Sequence, residues 1–215
     1  MSAIAINGSP RKHWNTGKLL EKALEGAAEK GADTEMIQLY DLNFRGCVSC
    51  FSCKLKNGTS YGRCAMKDSL IPVLAKVAKA KALFLGSPIY LGTETGEMRS
   101  FLERLVFPNL SYTNPPSSLF QGQLRVGLIF TFGATEEQAI QMGFDKHIAK
   151  TQMLIQRIFG HSETLCSYDT LQFDNYDNYV APRFNPAEKI ARHEEVFPGE
   201  LKQAFNLGSR LFSAS

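Results

Sequence analysis

The segment Gly8 to Leu20, GSPRKHWNTGKLL, stands between a short apolar run and a stretch of helical periodicity, and its residue types suit the capture of an anion. A loop that opens onto a helix start presents unpaired backbone N–H groups and the positive end of the helix dipole, which together bind phosphate. Ser9, Asn15 and Thr16 add side-chain donors, Gly17 completes the motif, and Arg11 adds a charge in reach of the same anion. The spacing is neither the G-x-G-x-x-G of a pyrophosphate turn nor the G-x-x-x-x-G-K-[ST] of a triphosphate loop, so a single phosphate fits better. On its own the segment is also compatible with an ordinary turn whose Ser and Asn cap the helix.

Two further clusters could do chemistry. Ser87-Pro88-Ile89-Tyr90 follows an apolar strand, and Gly92, two residues further on, permits close approach of a backbone to a ligand. Cys47, Cys50, Cys53 and Cys64 lie in one loop, the first three at two-residue gaps and the last after ten. Three thiolates so spaced can wrap one face of a cubane cluster, with a fourth completing a four-cysteine site. Zinc and free thiols are the other readings of such a set. Cys166 falls in an apolar strand and reads as a small core residue. The histidines His13, His147, His161 and His193 are scattered without a matching carboxylate or nucleophile pattern, which favours surface or local capping roles.

Strands alternating with helices must position these clusters. Strands are expected at Ala3 to Asn7, Thr34 to Leu39, Ala82 to Leu85, Val126 to Thr131 and Glu163 to Ser167. Helical spacing is expected from Leu19 to Gly31, Ser69 to Lys79 with Asp68 as cap, Gly96 to Phe107, and as one long helix over Glu136 to Gly160. The tail from Pro186 reads as helix with a break near Pro198. That order predicts an α/β doubly wound parallel sheet with right-handed crossovers and helices on both faces. Phosphate loop and Pro88 loop then share the carboxyl edge where ligands of open sheets bind. Thr131, Phe132 and Gly133 should form a third contact loop there by topology. Pro108 to Gly122 and Tyr168 to Asn185 read as long surface loops, of the kind that serve as lids or subunit contacts.

The chain has 215 residues, 44% hydrophobic and 21% charged, which suits one globular domain over 1–215 with a cysteine-rich loop at 43–67 and a helical extension at 186–215. The net charge of +3 contains no run of five like charges, so nucleic acid is not implied, and a mildly basic surface suits nucleotides and phosphates. No apolar run approaches the roughly 20 residues of a membrane span, and no signal peptide opens the chain, so a cytoplasmic location without membrane partners is expected.

The motifs G-S-P-R, four residues and then Thr at Gly8 to Thr16, GSPIYLGTETGEMRSFLER at Gly86 to Arg104, and GCVSCFSC between them resemble the flavodoxin-like NAD(P)H-dependent FMN reductases and iron–sulfur flavoproteins. The resemblance implies a flavodoxin-like five-stranded sheet of order 2-1-3-4-5 that binds FMN. It implies that Pro88, Ile89, Tyr90, Leu91, Gly92 and Thr93 line the isoalloxazine, with hydride chemistry belonging to the cofactor. The expected function is an FMN oxidoreductase reduced by NAD(P)H that passes electrons to a quinone, flavin, metal or other small acceptor. The alternative is an iron–sulfur flavoprotein relaying single electrons from a ferredoxin-like donor through a [4Fe-4S] cluster at Cys47, Cys50, Cys53 and Cys64. A homodimer or homotetramer is expected from the same resemblance.

Overall fold

The computed structural model describes residues 1–213. Five parallel strands form its sheet: β1 (Ser2–Asn7), β2 (Asp33–Gln38), β3 (Ala82–Tyr90), β5 (Leu124–Thr131) and β6 (Gly160–Ser167), in the spatial order β2-β1-β3-β5-β6. The two-residue strand β4 (Thr93–Glu94) lies off this path as an antiparallel partner of β3. With β4 set aside, the expected order 2-1-3-4-5 is what the chain adopts.

Alternate residues of the central strands face opposite sides, and each side is covered by helices. Ala3 and Ala5 of β1 and Phe84 of β3 meet α1 (Asn15–Glu29) and α7 (Phe197–Ser213). Ile4, Ile6, Leu83 and Leu85 meet α2 (Leu70–Val77), α3 (Gly96–Val106) and α5 (Phe144–Phe159). Helices α1 and α7 touch backbone to backbone: a Cβ on Gly26 would stand 1.9 Å from the Phe205 carbonyl oxygen, and one on Gly208 1.8 Å from that of Ala23. Only glycine permits that approach.

Three expectations change. The single helix over Glu136 to Gly160 is two, α4 (Glu136–Gln141) and α5, because Gly143 adopts φ +75° and stops the first while Thr135 and Gln138 form a capping box at its start. Gly160 opens β6 instead of closing a helix. The strand at Ala82 runs on through Pro88 to Tyr90, so the expected ring loop is itself the end of a strand and a hairpin. In the tail, α6 (Pro186–Glu195) ends before Phe197, and Pro198 sits in the first turn of α7, where its missing N–H costs nothing. Ala214 and Ser215, the end of the expected extension, lie outside the described residues. Among the described residues no helix is long and apolar enough to cross a membrane.

Candidate functional site

The carboxyl ends of β1, β3 and β5 open together onto a crevice of about 240 Å³. Asn7, the fully buried last residue of β1, shapes its first wall: its Oδ1 accepts the Ser9 N–H at 2.9 Å and its Nδ2 donates to the Lys12 carbonyl at 3.1 Å. Ser9 Oγ accepts the Arg11 N–H at 3.2 Å, tightening the turn. A Cβ on Gly17 would stand 1.8 Å from the Lys12 oxygen, so Gly17 lets the loop fold back against α1. Asn7 was not singled out in the sequence; its place at the end of a buried strand was the available signal.

Helix α1 starts at Asn15 with Trp14 as its cap residue, and no side chain caps it. The first amides of a helix have no intrahelical acceptor, so a helix start that faces a crevice without a capping oxygen fits a phosphate dianion. Ser9, Arg11, Asn15 and Thr16 all line the crevice, as expected. Some of their side-chain donors already have protein partners. Thr16 Oγ1 lies 2.8 Å from Thr131 Oγ1, Asn15 Nδ2 donates to the Leu171 carbonyl at 2.8 Å, and Arg11 Nη1 donates to that of Gln172 at 2.7 Å. The backbone amides and the remaining guanidinium donors of Arg11 are the groups left for an anion.

Pro88, Ile89 and Tyr90 line the opposite side. Ile89 pairs with Glu94 and Tyr90 with Thr93, which leaves Leu91 and Gly92 as a two-residue hairpin tip with φ +50° and +91°. Both residues at positive φ is the turn geometry that matches strand twist. Leu91 is fully exposed, so it, Gly92 and Thr93 stand at the rim. Ser87 Oγ accepts the Thr95 N–H, and Thr95 Oγ1 donates to the Gly8 carbonyl at 2.7 Å while capping α3. One threonine thus ties the two loops together.

Thr131 and Gly133 line the crevice, whereas Phe132 points into the core and stacks on Tyr168 at 4.8 Å. The segment Tyr168 to Asn185 is more than a surface loop. Its Leu171 and Gln172 carbonyls hold Trp14, Asn15 and Arg11, and Phe173 and Phe184 complete the crevice wall. Phe173 stacks on Tyr179 at 4.0 Å, and the buried Lys189 of α6 donates to the Gly133 carbonyl at 2.9 Å and to Asp169. The aromatic residues that made this segment look exposed pack on one another, and its backbone carbonyls tie it to the phosphate loop.

Cys47, Cys50, Cys53 and Cys64 line one small cavity at the far end of α3. Arg104, fully buried, donates through Nε to Cys64 Sγ at 3.4 Å, through Nη1 to the Arg45 carbonyl at 3.1 Å, and to both oxygens of Asp68. Asp68 also accepts the Leu70 N–H at 3.1 Å, so the expected cap of α2 is made. Glu103 accepts the Cys47 N–H at 3.1 Å, and Lys54 Nζ donates to the Phe107 and Pro108 carbonyls. Hydrogen bonding from Ser52 lowers the Cys50 thiol pKa, and burial raises that of Cys53. The cavity, about 20 Å³, has room for roughly one water. Among the described residues no three Cys, His, Asp or Glu side chains are placed to hold a metal ion. Cys166 is partly buried against the core, as expected.

Parallel-strand order and a crevice over the carboxyl edge define a flavodoxin-like α/β protein. The chain belongs to the NADPH-dependent FMN reductase family, whose model matches residues 1–155. An iron–sulfur flavoprotein of Methanocaldococcus jannaschii is 36% identical over 104 residues, covering 48% of this chain and 51% of that protein. One of Archaeoglobus fulgidus is 38% identical over 104 residues, 48% of each. The chain thus spans about half the length of the curated relatives it matches. Among solved structures, an NAD(P)H:quinone oxidoreductase from Methanothermobacter marburgensis superposes with a TM-score of 0.69 at 16% identity, covering 98% of both chains. An azoreductase from Bacillus anthracis str. Sterne gives 0.65 at 16% identity, covering 98% of this chain and 100% of that one. At such identities these matches establish the fold.

Proposed function

We propose that this chain is an FMN-dependent oxidoreductase that is reduced by NAD(P)H and passes electrons to a small acceptor such as a quinone, a flavin or a metal. The observation that carries the reading is the uncapped start of α1 at Asn15 and Thr16, opening onto the crevice beside Pro88 to Tyr90. When bound, FMN supplies an acceptor that takes electrons in pairs and releases them singly or in pairs. The chain's own part is to bind and orient it. The α1 amides and Arg11 hold the phosphate, Pro88, Ile89 and Tyr90 set the ring plane, with Leu91 to Thr93 at its edge, and Thr131 and Gly133 close the third side. The family description favours a nicotinamide donor, and the names of the fold neighbours favour a quinone or azo acceptor. A single FMN-binding domain, a cytoplasmic location and a homodimer or homotetramer belong to the same reading; Met153 and Leu154, exposed on α5, suit an apolar subunit contact. Anaerobic addition of NADH or NADPH to FMN-loaded protein should bleach the flavin absorbance, and bound FMN that neither nucleotide bleaches would contradict the proposed donor.

A second reading is favoured by the convergence of four cysteines on one cavity and by the relatives' names: an iron–sulfur flavoprotein in which Cys47, Cys50, Cys53 and Cys64 would hold a cluster and relay single electrons to FMN. Iron and sulfide analysis of anaerobically purified protein tests it. Stoichiometric iron that is lost in Cys50→Ala supports the cluster, and iron-free protein with intact FMN excludes it.

A further inference from the structure

Glu94 occupies the second position of the two-residue strand β4, and its carboxylate is wholly withdrawn from solvent. Its Oε2 lies 2.7 Å from His147 Nε2, and its Oε1 accepts the Thr151 hydroxyl at 3.1 Å. His147 and Thr151 are four residues apart on α5 and therefore share a face. Phe144, three residues before His147, lies under the hairpin tip, where a Cβ on Gly92 would meet its ring at 3.1 Å. Helix α5 thus touches the hairpin at its tip and at its base. The break at Gly143 starts α5 with Phe144 at that tip.

A hairpin of two residue pairs is marginal alone, and Leu91 adds the cost of a left-handed conformation. It needs an anchor. An apolar residue in place of Glu94 would pack without the desolvation penalty of a buried carboxylate, so stability alone is a weak reason for the pair. What it supplies is direction, because hydrogen bonds at both carboxylate oxygens fix where β4, and with it Ile89 and Tyr90, can stand. We propose that Glu94 and His147 are positioning residues for the hairpin that sets the ring plane in the crevice; this rests on the FMN reading above.

The test is anaerobic stopped-flow reduction by NADPH of FMN-loaded wild type, His147→Gln, Glu94→Gln, Glu94→Ala and the double variant that combines His147→Gln with Glu94→Gln. His147 is partly exposed, so its variant should fold. The maximal bleaching rate of His147→Gln should fall roughly tenfold or more with the NADPH KM little changed, since misplacement of reacting groups acts on the rate of the step. Glu94→Gln keeps an acceptor for Thr151 and should fall less than Glu94→Ala. The double variant should be no slower than its slower single parent, as for two residues acting as a unit. Wild-type rates in the single variants, losses that multiply in the double, or a lowered Tm with unchanged bleaching would overturn the proposal. Wild-type protein that holds no FMN would overturn the FMN reading and this proposal together, a result separable from unaffected variants of an active wild type.

Discussion

The crevice and the cysteine loop lie at opposite ends of α3 and are built by different means. Around the crevice, regular elements set the geometry: three strand ends, a helix start and a two-residue hairpin, with Asn7 and Thr95 tying the loops. The cysteine loop contains one 3₁₀ turn, Ser52–Lys54, as its regular structure and is held by side-chain contacts with α3 and the turn after it. Glu103 and Arg104, neighbours on α3, fasten its two ends. A site of the first kind inherits its precision from the sheet, whereas one of the second kind is as firm as a few polar contacts.

Removing one of those contacts should separate the regions most sharply. Asp68→Ala leaves the buried Arg104 guanidinium without its carboxylate and should cost about 3 to 5 kcal/mol, read by calorimetry. Alkylation of Cys64 should quicken, while FMN affinity in the folded fraction stays near wild type. The same pair gives a pH dependence with a defined sign. The Arg104 hydrogen bonds lower the Asp68 pKa, so its contribution is fully present above the usual carboxylate value of about 4 and is lost as pH falls through the lowered folded value. Cysteine reactivity should therefore stay flat from neutral pH down to that region, once corrected for thiol ionisation, and rise only below it.

The converse substitution is Gly17→Ala, whose Cβ meets backbone that cannot swing aside. It should cost about 3 kcal/mol and abolish FMN retention, with Cys50 labelling unchanged. Arg11→Ala should weaken FMN binding by about 1 to 3 kcal/mol, the worth of a charged hydrogen bond, measured by flavin fluorescence titration. Unaltered affinity would remove Arg11 from the phosphate site and leave it as a partner of Gln172 and Trp14. The smallest effect lies within the cysteine loop. Cys50, exposed and with a lowered pKa, should react with iodoacetamide faster than the buried Cys53 at neutral pH.

This contrast also explains what the sequence made legible. Buried parallel strands announce themselves as apolar runs, and the loops after them follow from topology, so the strands and most of the crevice lining were readable from Ala3 to Thr131, while the strand order came from the family resemblance. Gly143 hid inside a continuous helical pattern because nothing about a lone glycine says whether φ will be positive. The strap at 168–185 was hidden because carbonyls of Leu171 and Gln172, which every residue type carries, make its key contacts. His147 looked solitary for a related reason: its carboxylate partner, Glu94, lies on a different element. The cysteine spacing marked a group of thiols that belong together, and the fold brings all four to one cavity.

A crystal of this protein grown or soaked with excess FMN tests the central claim most directly. The phosphate should lie against the backbone amides of Asn15 to Gly17, with the ring beside Pro88 to Tyr90. A crevice that stays empty at saturating FMN, or a phosphate held elsewhere on the molecule, would contradict it.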